Sequence, residues 1–331
     1  MFFEKLMGFY EESPEQVRQN IEIRGGKLIS KVNNAEYIYG ELWIPTLGEL
    51  REEAPDLETF KDKIRVWEVV DDVQNLHKRV ENNLAMFQVA SQFNLLEMVD
   101  PYVTPEEGIS IYENDFTQGP ACAIACAAGT IYRNYFVEID GQIGQTEDRQ
   151  IDCMEEIASE LQNDRLQLWH MQNGYLMTDR NSLMFINDYL NSLSEFEYMQ
   201  LRDLLKIGIQ WNTEVTLEGT DNLVSQAYCS ALPISYHNIE VSLWEPFARF
   251  VLEATYEAVF YAALINYERN GSEKLFLTLV GGGAFGNPKK WILDAIDKAL
   301  QKFRNTPLDV YIVSYRYSDP DVAELVDKYN A

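Results

Sequence analysis

Residues 275–296 read LFLTLVGGGAFGNPKKWILDAI, and this stretch decides the fold. A short apolar run, LFLTLV, has the look of a strand buried on both faces. It passes directly into Gly281-Gly282-Gly283-Ala284-Phe285-Gly286-Asn287, a proline and an amphipathic helix, WILDAIDKALQKFRN. Glycines permit positive φ and remove the side chains that keep a ligand off the backbone. Successive N–H groups at a helix start form an anion site, and open α/β sheets bind ligands at the carboxyl ends of their strands. A tight turn with no ligand is the plainer alternative, but three consecutive glycines cost entropy that such a turn does not require.

Other glycine motifs fit poorly. There is no G-x-x-x-x-G-K-[ST], so the loop is not a P-loop. A dinucleotide-binding Rossmann unit leads its domain and places an acid about 20 residues further on, at a strand end. Here the loop comes late, with one strand after it, and Asp309 begins that strand. A dehydrogenase-like enzyme using NAD is therefore the third hypothesis.

Working outward, DVYIVSY (309–315) is a last strand and WEPFARFVLEATYEAVFYAALINYERNG (244–271) a long helix ended by Gly271. Upstream, NLVSQAYCSALP (222–233) and VTLEG (215–219) read as strands and residues 186–210 as helix. IRVWEVV (64–70) and LAMFQVASQF (84–93) are further strands, joined by DDVQNLHKRVENN. Strand and helix alternate, which predicts a three-layer α/β/α sandwich around a mixed, mostly parallel sheet. Residues 1–62 form an N-terminal extension with no legible chemistry, 63–331 the domain, and about 137–222 a helical insertion in it.

The chain of 331 residues carries 53 acidic and 27 basic residues, a formal charge of -26. Such a surface repels phosphate backbones and argues against direct nucleic-acid binding. Any anionic ligand must be held locally by backbone N–H groups. No apolar run of about 18 residues suggests a membrane span, and the acids in MFFEKLMGFYEE disfavour a signal peptide. Four cysteines are too few for a disulfide scaffold, so a reducing, cytoplasmic location is expected, with secretion into a host cell left open. Cys122 and Cys126 have helical spacing but no Cys or His pair near them, and no metal or cofactor is expected.

The run from the long helix to the last strand resembles the macrodomain superfamily, in which helix, strand, glycine loop with an embedded aromatic, helix and final strand follow in this order. ASQFN, TQGPACA and GGGAFGN together are similar to divergent ADP-ribosyl hydrolases among bacterial effectors. The resemblance covers about residues 63–331 and is specific in the last 80 or so. It implies that Gly281, Gly282, Gly283, Ala284, Phe285, Gly286 and Asn287 wrap a diphosphate. It also implies Asp72 or Asp71 at adenine, Asn94 near the distal ribose, and Tyr315 or Tyr317 stacked on adenine.

The segment DFTQGPACAIACAAG replaces the family's glycine-rich first loop and lacks the Gln-Glu-Glu of the poly(ADP-ribose) glycohydrolase branch. Asp115 is then the first choice for the acid and Glu113 the second, with Gln118 and Gly119 at the phosphates. Asp115 reads equally as a helix-capping carboxylate, and Asn94 as a strand-end turn residue. Arg133 is expected to pair with an acid, or else with phosphate. Of Glu253 and Glu257, one helical turn apart, at least one should face solvent or pair with Arg249. The implied function is hydrolytic release of ADP-ribose from a modified macromolecule, without an obligatory metal. The rival is a module that binds ADP-ribose or an ADP-ribosylated protein without turnover.

Overall fold

The computed structural model describes residues 1–330. Apolar strands need helices above and below them, and the long runs of Val, Ile, Leu and Phe are satisfied in this way. Seven strands, β1 (Glu41–Trp43), β2 (Arg65–Val70), β3 (Met86–Ala90), β4 (Gly208–Glu214), β5 (Leu223–Cys229), β6 (Lys274–Leu277) and β7 (Asp309–Ser314), form one sheet. Their order is β1-β4-β5-β3-β6-β7-β2. The pairs β5/β3, β3/β6, β6/β7 and β7/β2 are parallel, and β1/β4 and β4/β5 antiparallel. The sheet is thus mixed and mostly parallel.

The helix Val241–Asn270 crosses one face against β3, β5 and β6, flanked by Leu47–Glu53, Arg180–Ser192, Glu195–Arg202 and Lys289–Lys302. It ends at Gly271, which takes the left-handed conformation at φ 73° that closes a helix without strain. The helices Gln118–Ala125 and Ala127–Tyr135 cover the other face at β3 and β4. Three layers result.

Several elements differ from the sequence pattern. The helix expected over 186–210 ends at Ser192, because Ser194 and Glu197 form a capping box that starts a new helix. The residues that follow become β4, which lies inside the stretch read as an insertion. Gly208 belongs to that strand because a Cβ there would stand 2.2 Å from Leu95 Cδ1. Residues 215–219 are not a strand: Val215 N–H donates to Asn222 O and Thr216 N–H to Ala125 O. The helix Pro320–Asn330, which the sequence reading did not anticipate, lies along β2.

The segment read as an extension supplies the edge strand β1. Before it, the strands Ile21–Arg24, Lys27–Ser30 and Glu36–Ile38 make a small antiparallel sheet. This module shares a second apolar core, in which Phe3, Met7, Val17 and Leu28 meet Met98, Ile109, Tyr112 and Tyr135. Among the described residues no helix is long and apolar enough to cross a membrane. All four cysteines are buried and free.

Candidate functional site

The parallel strands β3, β6 and β7 end at one edge, and a cleft of about 420 Å³ opens there. Its floor is Ala90 to Gln92 after β3 and Thr278 to Val280 after β6. One wall is the start of the helix Gln118–Ala125, the other the glycine loop, and Tyr315, Tyr317 and Asp319 close the end beyond β7.

The glycine loop owes its shape to specific contacts. Gly281 has φ +80°, and a Cβ there would stand 2.5 Å from Ala231 Cβ. Asn287 ties the loop shut, its N–H donating to Gly281 O at 2.9 Å and its Nδ2 to Leu232 O at 2.9 Å. Ser235 clasps the other side, with its N–H on Phe285 O at 3.0 Å and its hydroxyl on Ala284 O. Phe285 packs on Tyr175 and Tyr236, ring centroids 5.3 and 5.8 Å away. Gly283 has no such duty: its φ is not positive, and a Cβ there would meet nothing within 4 Å. The N–H groups of Gly281, Gly283, Ala284 and Phe285 have no acceptor among the described residues. Their loop lies within reach of anything in the cleft.

Across the cleft, the N–H groups of Gln118 and Gly119 are likewise without acceptors at the first turn of their helix. Gly119 is required there, because a Cβ would stand 2.2 Å from Ala90 O and 3.4 Å from Glu97 Cγ. The helix can therefore press its positive end against the end of β3. One lysine, Lys289, lines the cleft, and it is already paired with Asp319 at 2.8 Å and Asp321 at 2.7 Å. The unpaired positive groups of the lining are therefore backbone N–H groups.

The acid that the sequence reading missed is Glu97. It lines the cleft, is 3% exposed, and neither carboxyl oxygen has a hydrogen-bond partner among the described residues. Burial pushes its pKa to about 8, against the opposing pull of the Arg133 charge, and the Asp115 charge adds to the rise. At neutral pH it is mostly protonated, as a general acid must be. The available signal was one acid in the apolar run LLEM, three residues after Asn94, where an unpaired carboxylate is costly.

The expected residues fall into two groups. Asp115, Gln118, Gly119, Gly281, Gly282, Gly283, Ala284, Phe285 and Tyr315 line the cleft, as does Tyr317. Asp115 also accepts from Thr117 N–H at 2.8 Å, a turn contact before the helix start and not a cap, because Thr117 is the N-cap residue there. The structure does not bring Asp72, Asn94, Glu113, Gly286 or Asn287 into the lining. Asp72 caps the helix Val73–Lys78, and Asp71 pairs with Arg79. Asn94 is fully buried, with its amide on Gln150 at 2.7 Å and its oxygen on Leu96 N–H, and so braces the β3 loop. Glu113 accepts from Phe2 N–H at 2.6 Å and is not part of the cleft lining.

Two charged-residue expectations need correction. Arg133 is fully buried but among the described residues pairs with no acid and does not line the cleft; Leu95 O, Gln210 and Thr130 accept from it, and the Tyr228 ring centroid lies 3.5 Å from its guanidinium. Neither Glu253 nor Glu257 faces solvent or meets Arg249, which pairs with Glu245 and Asp294. Instead Glu253 holds Arg202 and Lys298, and Glu257 holds Arg51, Arg202 and Lys302. The two acids staple four helices at a distance from the cleft. Among the described residues no group of three or more His, Cys, Asp or Glu is arranged to hold a metal ion.

No family model and no curated protein matches the chain. Among solved structures it is similar to poly(ADP-ribose) glycohydrolase from Deinococcus radiodurans in complex with ADP-ribose, over 86% of this chain and 91% of that one, at 11% identity and a TM-score of 0.45. It is also similar to the glycohydrolase from Thermomonospora curvata bound to the inhibitor ADP-HPD, over 96% and 94%, at 9% identity and a TM-score of 0.47.

Proposed function

We propose that this chain hydrolyses ADP-ribosyl bonds, releasing ADP-ribose from a modified macromolecule. The observation that carries the proposal is a buried, unpartnered carboxyl, Glu97, in a cleft ringed by free backbone N–H groups; burial raises its pKa to about 8. The loop and helix N–H groups suit a diphosphate in a protein whose overall charge repels anions. Tyr315 and Tyr317, at the far end, suit a stacked base.

Cleavage of a glycosidic bond passes through an oxocarbenium-like state. In this reading Glu97 gives its proton to the leaving heteroatom as the bond to the ribose anomeric carbon breaks. A water adds to that carbon, and its proton passes to a carboxylate, Asp115 or the ionised Glu97. Atoms and charge balance with water as the only co-reactant. Asp115 therefore keeps a role, as the group that orients the water.

Calorimetry with ADP-ribose and a release assay with ADP-ribosylated protein test this together. Binding and release in wild type, with release abolished and binding kept in Glu97→Gln, is the expected result. Binding without release from any ADP-ribosylated substrate would instead make the chain a reader module. Absence of binding at millimolar ADP-ribose would overturn both.

A further inference from the structure

Two of the three acids of the cleft, Glu97 and Asp115, hang on one short segment. Tyr112 sits in the turn of 3-10 helix Ser110–Asn114; its hydroxyl accepts from Glu97 N–H at 3.0 Å, and its carbonyl from Asp115 N–H at 3.2 Å. The start of that segment is fastened by a residue far away in sequence. Glu11 Oε1 accepts from Ile109 N–H at 3.0 Å and from the Tyr135 hydroxyl at 2.5 Å, and its Oε2 accepts from Ser110 N–H at 2.6 Å. Gly108, at φ +86°, lets the chain come this close: a Cβ there would lie 2.7 Å from Glu11 Oε2. Ile109 and Tyr112 then pack into the apolar core of the N-terminal module.

We infer that Glu11 is a positioning residue for the cleft, fixing residues 109–110 and through Tyr112 the places of Glu97 and Asp115. The inference rests on the reading of Glu97 as the proton donor. A carboxylate suits the task because it is acceptor-only, and three donors converge on it. An amide at this position would turn an NH2 group onto at least one of those donors. The apolar contacts of Ile109 and Tyr112 would remain, so the segment would loosen without losing its core.

The test uses the full chain with Glu11→Gln and Glu11→Asp. In Glu11→Gln, kcat for ADP-ribose release is expected to fall roughly 10- to 100-fold, the loss typical of a group displaced by about an ångström. The calorimetric Kd for ADP-ribose stays at the wild-type value, because the glycine loop is untouched. Carboxyl-detected NMR titration of Glu97 shifts toward the ordinary carboxylate range as water reaches it. Glu11→Asp keeps the charge and both oxygens and recovers part of kcat, and it serves in place of Glu11→Gln should that variant not fold. A purely structural role lowers the melting temperature but leaves kcat and the Glu97 titration unchanged, and that result in a folded variant overturns the inference. If wild type releases ADP-ribose from no substrate, the functional reading fails, and the Glu97 titration alone decides the positioning role.

Discussion

Replacing Glu97 by Gln should stabilise this protein, and by an amount that grows with pH. The folded pKa of about 8 lies above the ordinary value of 4.5 because burial penalises the charged form. Between these values the folded state binds more protons than the unfolded state, so stability is fully present below pH 4.5 and is lost as pH rises through 8. At 1.36 kcal/mol per pH unit, the loss amounts to about 3 kcal/mol at pH 7 and about 5 kcal/mol above pH 8. Gln fills nearly the same volume and does not ionise, so the variant escapes the penalty. Urea unfolding of both proteins, followed by tryptophan fluorescence at pH 5, 7 and 9, measures it. The two curves should nearly coincide at pH 5 and separate steadily towards pH 9, while the variant releases no ADP-ribose. A stability gap that does not widen with pH would refute the account of Glu97 as a buried, desolvated acid. The expected opposition of stability and activity at one residue is the mark of a group retained for chemistry.

Other perturbations read different parts of the molecule. His77 is fully buried, and burial pushes its pKa down to about 4, so the unfolded state binds the extra proton between pH 4 and 6.5. Stability should therefore fall as pH drops through that window, by about 3 kcal/mol at its foot, and Glu97→Gln should keep this acid limb. Gly283→Val should leave the melting temperature unchanged and weaken ADP-ribose binding at least about tenfold by calorimetry, since the new side chain has space but stands over the free N–H groups. Tyr317, 81% exposed, should cost about 1 kcal/mol or more of ADP-ribose affinity on change to Ala, with no change in melting temperature. Glu257→Ala should lower stability by about 1–3 kcal/mol in thermal or urea unfolding, because Lys302 loses its partner while Arg51 and Arg202 keep Asp203 and Glu253, and leave the ADP-ribose Kd unaltered.

The sequence alone determined the run from the long helix to the strand after the glycine loop, though not the closing helix Pro320–Asn330. The strand Lys274–Leu277, shorter than the apolar run 275–280, the glycine loop, the helix and the strand Asp309–Ser314 are local patterns, and local propensity and burial decide them. The same locality made the loop around Gly283 legible as a stretch of backbone whose N–H groups are left without acceptors. Tertiary structure decided the rest, because it turned on partners far apart in the chain. β4 is a strand because it lies between β1 and β5, which no periodicity within 186–210 announces. Asn94 and Glu113 have side chains suited to a site, yet Gln150 and Phe2 claim them. Glu97 shows nothing in sequence beyond an acid among apolar residues. It becomes a candidate acid only where Gly119 presses a helix against β3 and the fold leaves its carboxyl buried and without a partner. The physical reason is that a pKa is set by surroundings, and the surroundings of Glu97 come from other elements: Arg133 on its helix, and Tyr112 on a segment whose start is bonded to Glu11.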